Sequence, residues 1–231
     1  MSQLREYVWA QNARLPEEGL VSLTWGNVSG RLDDLIAIKP SGVPYSGMKP
    51  DDVVVLDLAG NKVAGELRPS IDTSTHLELY RAFPSIGGVV HAHSTYGTAF
   101  AQARAPIPCL GTTHADHFHG PVPVVRQLTE EEVADEYEAN TGRVIVEHFN
   151  SQAIDPLHVP AVLAAGHAPF VWGEDASIAV DNAVALEASA RMALLTGILT
   201  GGDPLPLEKW VLDKHHERKH GTDAYYGQGK R

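Results

Sequence analysis

The sequence predicts an α/β domain in which a central mixed or antiparallel sheet is flanked by helices. Three observations carry this. Short Val/Ile/Leu-rich runs of strand length are interspersed with segments whose apolar residues recur at helical spacing. No regular strand–helix–strand rhythm and no internal repeat is present, which argues against an all-parallel sheet. Proline and glycine are spread evenly with no linker-like stretch, so residues 1–231 read as one domain.

The elements follow in order. Leu4, Tyr7, Val8 and Leu15 lie on one helical face, and Pro16 ends that segment. Strands are expected over 20–25 (LVSLTW), 35–39 (LIAIK) and 52–58 (DVVVLDL), the last closed by a turn at Ala59, Gly60 and Asn61. A helix is expected from Asp72 to Phe83, stopped by Pro84. Residues 88–94 (GVVHAHS) read as a buried strand running into a small-residue helix, TYGTAFAQA. Thr129 and Glu132 form a capping box that opens an acidic helix, TEEEVADEYEA. Residues 160–167 (PAVLAAGH) make a further apolar strand. Beyond it, Ala176, Val180, Ala183, Leu186, Ala190 and Leu194 mark a long helix. A last helix runs to about Gly221, before a tail rich in glycine and tyrosine.

Composition narrows the function classes. Eighteen Lys+Arg against 29 Asp+Glu give a net charge of −11, which lacks the basic footprint that nucleic acid or an anionic membrane surface requires. The single cysteine, Cys109, excludes an intrachain disulfide framework and a thiolate metal cluster. No apolar run approaches the 18 or so residues of a membrane span, and no targeting segment is visible, so a cytoplasmic protein is expected. Histidine is the outlier. Twelve copies in 231 residues point to metal or proton chemistry.

His91 and His93 stand two apart in a predicted strand, so both rings project from one face. His167 ends another apolar strand. Three imidazoles with an open position suit catalytic zinc, whereas two with the carboxylate of Asp72 would suit iron. A competing set, His114, His117 and His119, lies in the loop-like THADHFHG, and spacing alone does not choose between the two. Short His-x-His patterns also occur as core histidines without metal.

The strings LTWGNVSG, IKPSGVPYSGM, PSIDTSTHLELYRAFPSIGGVVHAHS, GTTHAD, EYEANTGRVIVE, GHAPFVWG and DKHHERKHGTDAYYGQ occur in this order over nearly the whole chain. Together they resemble the L-ribulose-5-phosphate 4-epimerases of the class II (zinc) aldolase/epimerase family. The resemblance implies the class II aldolase fold and a zinc ion held by His91, His93 and His167, with Asp72 as a further ligand or close partner. Asp116 and Tyr226 match the family's acid/base residues. Asn27, Ser41, Gly42, Ser70 and the backbone N–H of Ile71 match its phosphate contacts, with Lys39 near the substrate. Thr112, Glu138 and His215 match positions around the site. The resemblance further implies a homotetramer with sites between subunits, where Asp116, Tyr226 and His215 serve a neighbour's metal.

The implied chemistry is the conversion of L-ribulose 5-phosphate to D-xylulose 5-phosphate. The hydrogen on carbon 4 is not acidic, so inversion requires breaking and remaking the C3–C4 bond, with a proton carrier on each face of the aldehyde. A lysine Schiff base is the other aldol strategy, for which Lys39 is the candidate, but the resemblance implies the metal route. An aldolase of the same fold, acting on another or a non-phosphorylated sugar, is the alternative. Two positions depart from the family pattern. Ile71 replaces a serine that contacts phosphate, and Ala168 replaces a glycine after His167, tolerable only if the backbone there keeps a negative φ.

Overall fold

The computed structural model describes residues 1–221 and 224, and Tyr226 lies outside them. One eight-stranded sheet forms the centre: β1 (Asn27–Leu32), β2 (Leu35–Ile38), β3 (Val54–Asp57), β4 (Lys62–Ala64), β5 (Gly88–His91), β6 (Val124–Val125), β7 (Ala161–Ala164) and β8 (Pro169–Gly173). Their spatial order is β4-β3-β2-β1-β5-β8-β7-β6, antiparallel throughout except for the β6–β7 pair. The mixed sheet expected from the missing strand–helix rhythm is therefore present.

Helices cover both faces because strand side chains alternate. On one face, Val28, Val90, Leu163 and Val171 pack against α1 (Ser2–Glu17), α3 (Thr95–Ala103) and α7 (Ala176–Leu199). On the other, Val89, Val162, Phe170 and Trp172 pack against α2 (Thr73–Ala82) and α6 (Tyr137–Ser151). The remaining helices are short α4 (Thr112–Ala115), α5 (Glu130–Ala134) and α8 (Lys209–His220). Buried Asn12 ties α1 to β1. Its Nδ2 donates to the Val28 carbonyl at 2.9 Å, and its Oδ1 accepts from the Val28 N–H at 2.8 Å. Asp175 caps α7 by accepting from the Ile178 N–H at 2.9 Å.

The structure corrects several expectations. Residues 20–25 are not a strand: Leu23 adopts a left-handed backbone (φ 55°) and is 77% exposed, so the run turns. The neighbouring strand is instead β1, whose Asn, Ser and Gly imitate a turn in sequence but are held extended between β2 and β5. The acidic helix divides at Glu136 (φ 50°) into α5 and α6. Asn140 on α6 clasps the break by donating to the Asp135 and Glu132 carbonyls. Strand 88–94 ends at His91, and the run 160–167 ends at Ala164, where it folds back into β8, a strand absent from the sequence expectation.

Gly88 shows how tightly β5 is seated. A Cβ there would stand 2.3 Å from the Cα of Ala176 at the start of α7. Because β5 delivers the chemistry described below, overpacking at this point tests the coupling of fold and site. Gly88→Ala is expected to destabilise the chain by about 1–3 kcal/mol in chemical denaturation. A variant with an unchanged denaturation midpoint would show that α7 yields freely at this contact.

Candidate metal centre

His91 occupies the end of the most central strand. It pairs with Asn27 of β1 on one side and Phe170 of β8 on the other. Its ring stacks on Phe170 with centroids 4.2 Å apart and planes 16° apart. Nδ1 lies 2.9 Å from the Pro169 carbonyl, which can only accept, so that nitrogen carries the proton and Nε2 is left as the free lone pair. His93 continues the same face just beyond the strand, with its Nε2 3.1 Å from that of His91. His167 comes from the turn between β7 and β8, where Gly166 takes a left-handed φ of 72°. The Ala164 N–H closes the turn on the Ala168 carbonyl at 3.1 Å. Ala168 is not in the left-handed region, so its replacement of glycine is accommodated.

The three rings form a nearly equilateral triangle with centroid separations of 4.9, 4.8 and 5.0 Å. Their candidate ligand nitrogens all lie within 4.8 Å of one another. Burial and the neighbouring imidazoles hold His167 down to about 4, and the same causes lower His93. Both rings are therefore neutral at pH 7, the form that ligates metal. The buried Nδ1 of His167 has no hydrogen-bond partner. Neutral imidazoles, convergent nitrogens and an orphaned ring atom are what a borderline divalent cation such as zinc requires. The competing set disperses: His114 turns inward to the Gly120 carbonyl at 2.7 Å, and His117 faces Asn182 at 3.3 Å.

Asp72 stands beside this triangle at the start of α2, outside the 4.8 Å cluster. Burial would raise its pKa, but the imidazoles of His91, His76 and His167 and a 2.7 Å hydrogen bond from Asn27 Nδ2 overcome that, and the carboxyl is lowered. Asn27 also donates to Ser70 Oγ at 3.0 Å. The Ser70 N–H donates to the Lys39 carbonyl at 3.0 Å, and the Ser41 N–H to the Arg68 carbonyl at 3.0 Å, bringing 39–42 and 68–72 side by side. Gly42 is left-handed (φ 69°) with open space where a side chain would be. Lys39 is 2% exposed, with Nζ 4.8 Å from the Tyr45 ring centroid. Burial lowers its pKa, and Asp72 opposes the effect. Ile71 is 69% exposed, so the substitution crowds no core position and removes only a hydroxyl.

Asn27, Lys39, Ser70 and Asp72 are thus brought into one group next to the histidines. Asp116, Thr112 and His215 make a second group. The Asp116 carboxylate accepts from Arg218 Nε at 3.1 Å and Nη2 at 2.7 Å, and from His215 Nδ1 at 3.0 Å. Burial would raise the Asp116 pKa, but Arg218, His215 and Lys219 lower it. Thr112 opens α4, which Asp116 ends. Among the described residues, no hydrogen bond or ring contact joins this group to the histidine triangle. Glu138 sits in the first turn of α6, its carbonyl accepting from Thr75 Oγ1 at 2.6 Å.

Other residues at the site were not anticipated. Tyr137 lies 6.4 Å, ring to ring, from His167, and Trp25 lies 6.5 Å from His93. His76 is fully buried under the site, hydrogen-bonded through Nδ1 to Ser29 Oγ at 2.7 Å, and Ser29 Oγ in turn meets the Tyr80 hydroxyl at 2.8 Å. The sequence signal was His76 itself, on the apolar face of α2 where a leucine would be ordinary.

Residues 6–194 match the family model described as Class II Aldolase and Adducin N-terminal domain. The L-ribulose-5-phosphate 4-epimerases UlaF of Salmonella paratyphi A and Salmonella typhi are each 53% identical over 231 residues, spanning 99% of this chain and 100% of theirs. Among solved structures, an L-fuculose 1-phosphate aldolase superposes with a TM-score of 0.79 at 27% identity, covering 94% of this chain and 96% of its own. The L-fuculose-1-phosphate aldolase of Thermus thermophilus gives 0.68 at 25% identity, covering 88% and 100%. The chain therefore belongs to the class II aldolase and adducin N-terminal domain family, on a fold that gathers three histidines at one corner of its central sheet.

Proposed function

We propose that this chain is a zinc-dependent isomerase that interconverts L-ribulose 5-phosphate and D-xylulose 5-phosphate by breaking and remaking the C3–C4 bond. The observation that carries the reading is the triangle of convergent imidazoles beside the Asn27–Ser70–Lys39 group, in a chain 53% identical to named 4-epimerases end to end. His91, His93 and His167 would hold the zinc, with Asp72 as outer partner or added ligand. When bound, the ion would supply Lewis-acid stabilisation of the negative charge that C3–C4 cleavage leaves on carbon 3 and delocalises onto the carbon-2 oxygen.

The chain's own residues supply the rest. The carbonyl of Pro169 and the ring of Phe170 hold His91 in one orientation, so that corner of the site is preorganised. Asn27, Ser41, Gly42, Ser70 and the Ile71 N–H provide phosphate donors, and Lys39 adds positive charge close by. Asp116, held ionised by Arg218 and His215, is suited to accept a proton from the carbon-4 hydroxyl. Tyr226 would serve the opposite aldehyde face; it lies outside the described residues. Separation of the Asp116 group from the histidines supports an assembly in which one subunit's Asp116, His215 and Tyr226 face another's metal, within a homotetramer. Thr112 and Glu138 would border that shared site. No described helix is long and apolar enough to cross a membrane, which agrees with a small phosphorylated substrate and a cytoplasmic setting.

Zinc-loaded protein is expected to turn L-ribulose 5-phosphate into D-xylulose 5-phosphate and to act poorly on free L-ribulose at equal concentration. Accumulation of glycolaldehyde phosphate would identify an aldolase instead, and no turnover of either sugar would reject this substrate. Ile71→Ser restores one hydrogen bond to a charged group, worth roughly 1.5–3 kcal/mol, and should lower KM by about ten- to a hundredfold. Removing one imidazole by His93→Ala is expected to abolish turnover and cost one bound metal equivalent without a change in circular dichroism. Retained turnover in that variant would remove the triangle from the mechanism.

A further inference from the structure

A second gathering of histidines packs α8 against two loops, beside the Asp116 group and apart from the first triangle. His119 follows α4, His158 precedes β7, and His216 lies on the inner face of α8. The two loops are fastened together by the His119 N–H, which donates to the His158 carbonyl at 2.8 Å. The His216 ring lies 4.6 Å from that of His119 and 4.8 Å from that of His158, and those two are 6.0 Å apart. These spacings are close to those of the first triangle, though somewhat more open.

Two further features favour a cation over a packed polar core. His216 is 7% exposed, and its Nε2 is buried with no hydrogen-bond partner, a costly state for a ring nitrogen with nothing to bind. His119 Nε2 meets Asp213 Oδ1 at 2.8 Å, the carboxylate–imidazole arrangement that orients metal-bound histidines and leaves Nδ1 free for the ion. Burial and the rings of His220, His119 and His158 hold His216 at about 4, with Asp155 opposing, so its lone pair is available at neutral pH. His220 stacks on His216 at 4.8 Å but spends its Nε2 on the Asp116 carbonyl.

We propose that His119, His158 and His216 form a second divalent-metal site, taking an ion of the zinc, nickel or copper class and clamping α8 onto the two loops. Three imidazoles set the ligand softness. Asp155, whose charge is felt by His216, or a water completes four-coordination. Among the described residues the nitrogens are gathered within 4.8 Å only in the first triangle, so binding here draws the rings of His119 and His158 inward. Both have the freedom to turn, since His158 is exposed and His119 half-buried, and the same exposure gives the ion its way in. The consequence reaches the reaction indirectly, because α8 also carries His215 and Arg218 onto Asp116.

Metal stoichiometry on the full chain, with Co2+ as a spectroscopic probe, tests this separately from turnover. The full chain should bind two equivalents, and His91→Ala/His93→Ala should retain one, with visible tetrahedral Co2+ bands. Adding His216→Phe to that variant should remove the remaining equivalent. His158→Gln alters only an exposed ligand and keeps the core intact; it should weaken the second equivalent by at least about tenfold, and Asp213→Asn by about ten- to a hundredfold. One equivalent in the full chain with none in His91→Ala/His93→Ala would overturn the proposal. So would a second equivalent that survives both His216→Phe and His158→Gln, since it would then be bound elsewhere.

Discussion

The hydrogen bond between His91 Nδ1 and the Pro169 carbonyl is the contact on which the rest of the site depends. It joins β5 to its neighbour β8 and fixes which nitrogen of His91 faces the other two histidines. The stacked Phe170 ring removes the remaining freedom of that imidazole. His93 follows from it by strand alternation, and His167 by the tight turn that returns β7 into β8. Misplacing Pro169 would therefore disturb His91 and His167 together, since the same residue follows the turn that presents His167.

The electrostatics of the corner are set by burial acting against charge. Burial drives His93 and His167 to the neutral form, while Asp72 is held low against its own burial chiefly by the imidazoles of His91 and His76 and the hydrogen bond from Asn27. Lys39 is pulled in both directions, by burial towards neutrality and by Asp72 towards charge. One carboxylate, one lysine and three imidazoles gathered at this corner suit a divalent cation together with an anionic sugar. Asp116 lives under different rules, in a basic collar formed by α8. The chain thus holds two differently tuned groups, and both the 4-epimerase reading and the second metal site give α8 a purpose: it positions the Asp116 group, which stands apart from the His91–His93–His167 triangle.

Much of this was legible in the residues themselves. The His-x-His pair at the end of a Val-rich run, the helical repeat from Ala176 and the capping box at Thr129 all follow from spacing and local chemistry, and the ordered motifs point to the family that the comparisons show. β1 was not anticipated because Asn27, Ser29 and Gly30 have no intrinsic preference for a strand. They are extended only because β2 and β5 supply partners on both sides. β8 was missed because its five residues precede a helix cap and share that helix's apolar character.

Sequence alone determined the class of chemistry: which side chains can ligate metal, which can carry protons, and where Ile71 departs from a phosphate-binding pattern. Only the tertiary structure decided between rival sets of those side chains. His114, His117 and His119 lie close together in the chain, yet they separate towards Gly120, Asn182 and Asp213. His91 and His167 are 76 residues apart and meet because β5 and β8 are neighbours in the sheet. Convergence of ligands depends on strand pairing between distant segments, and pairing is decided by the burial of whole faces, which no local pattern encodes.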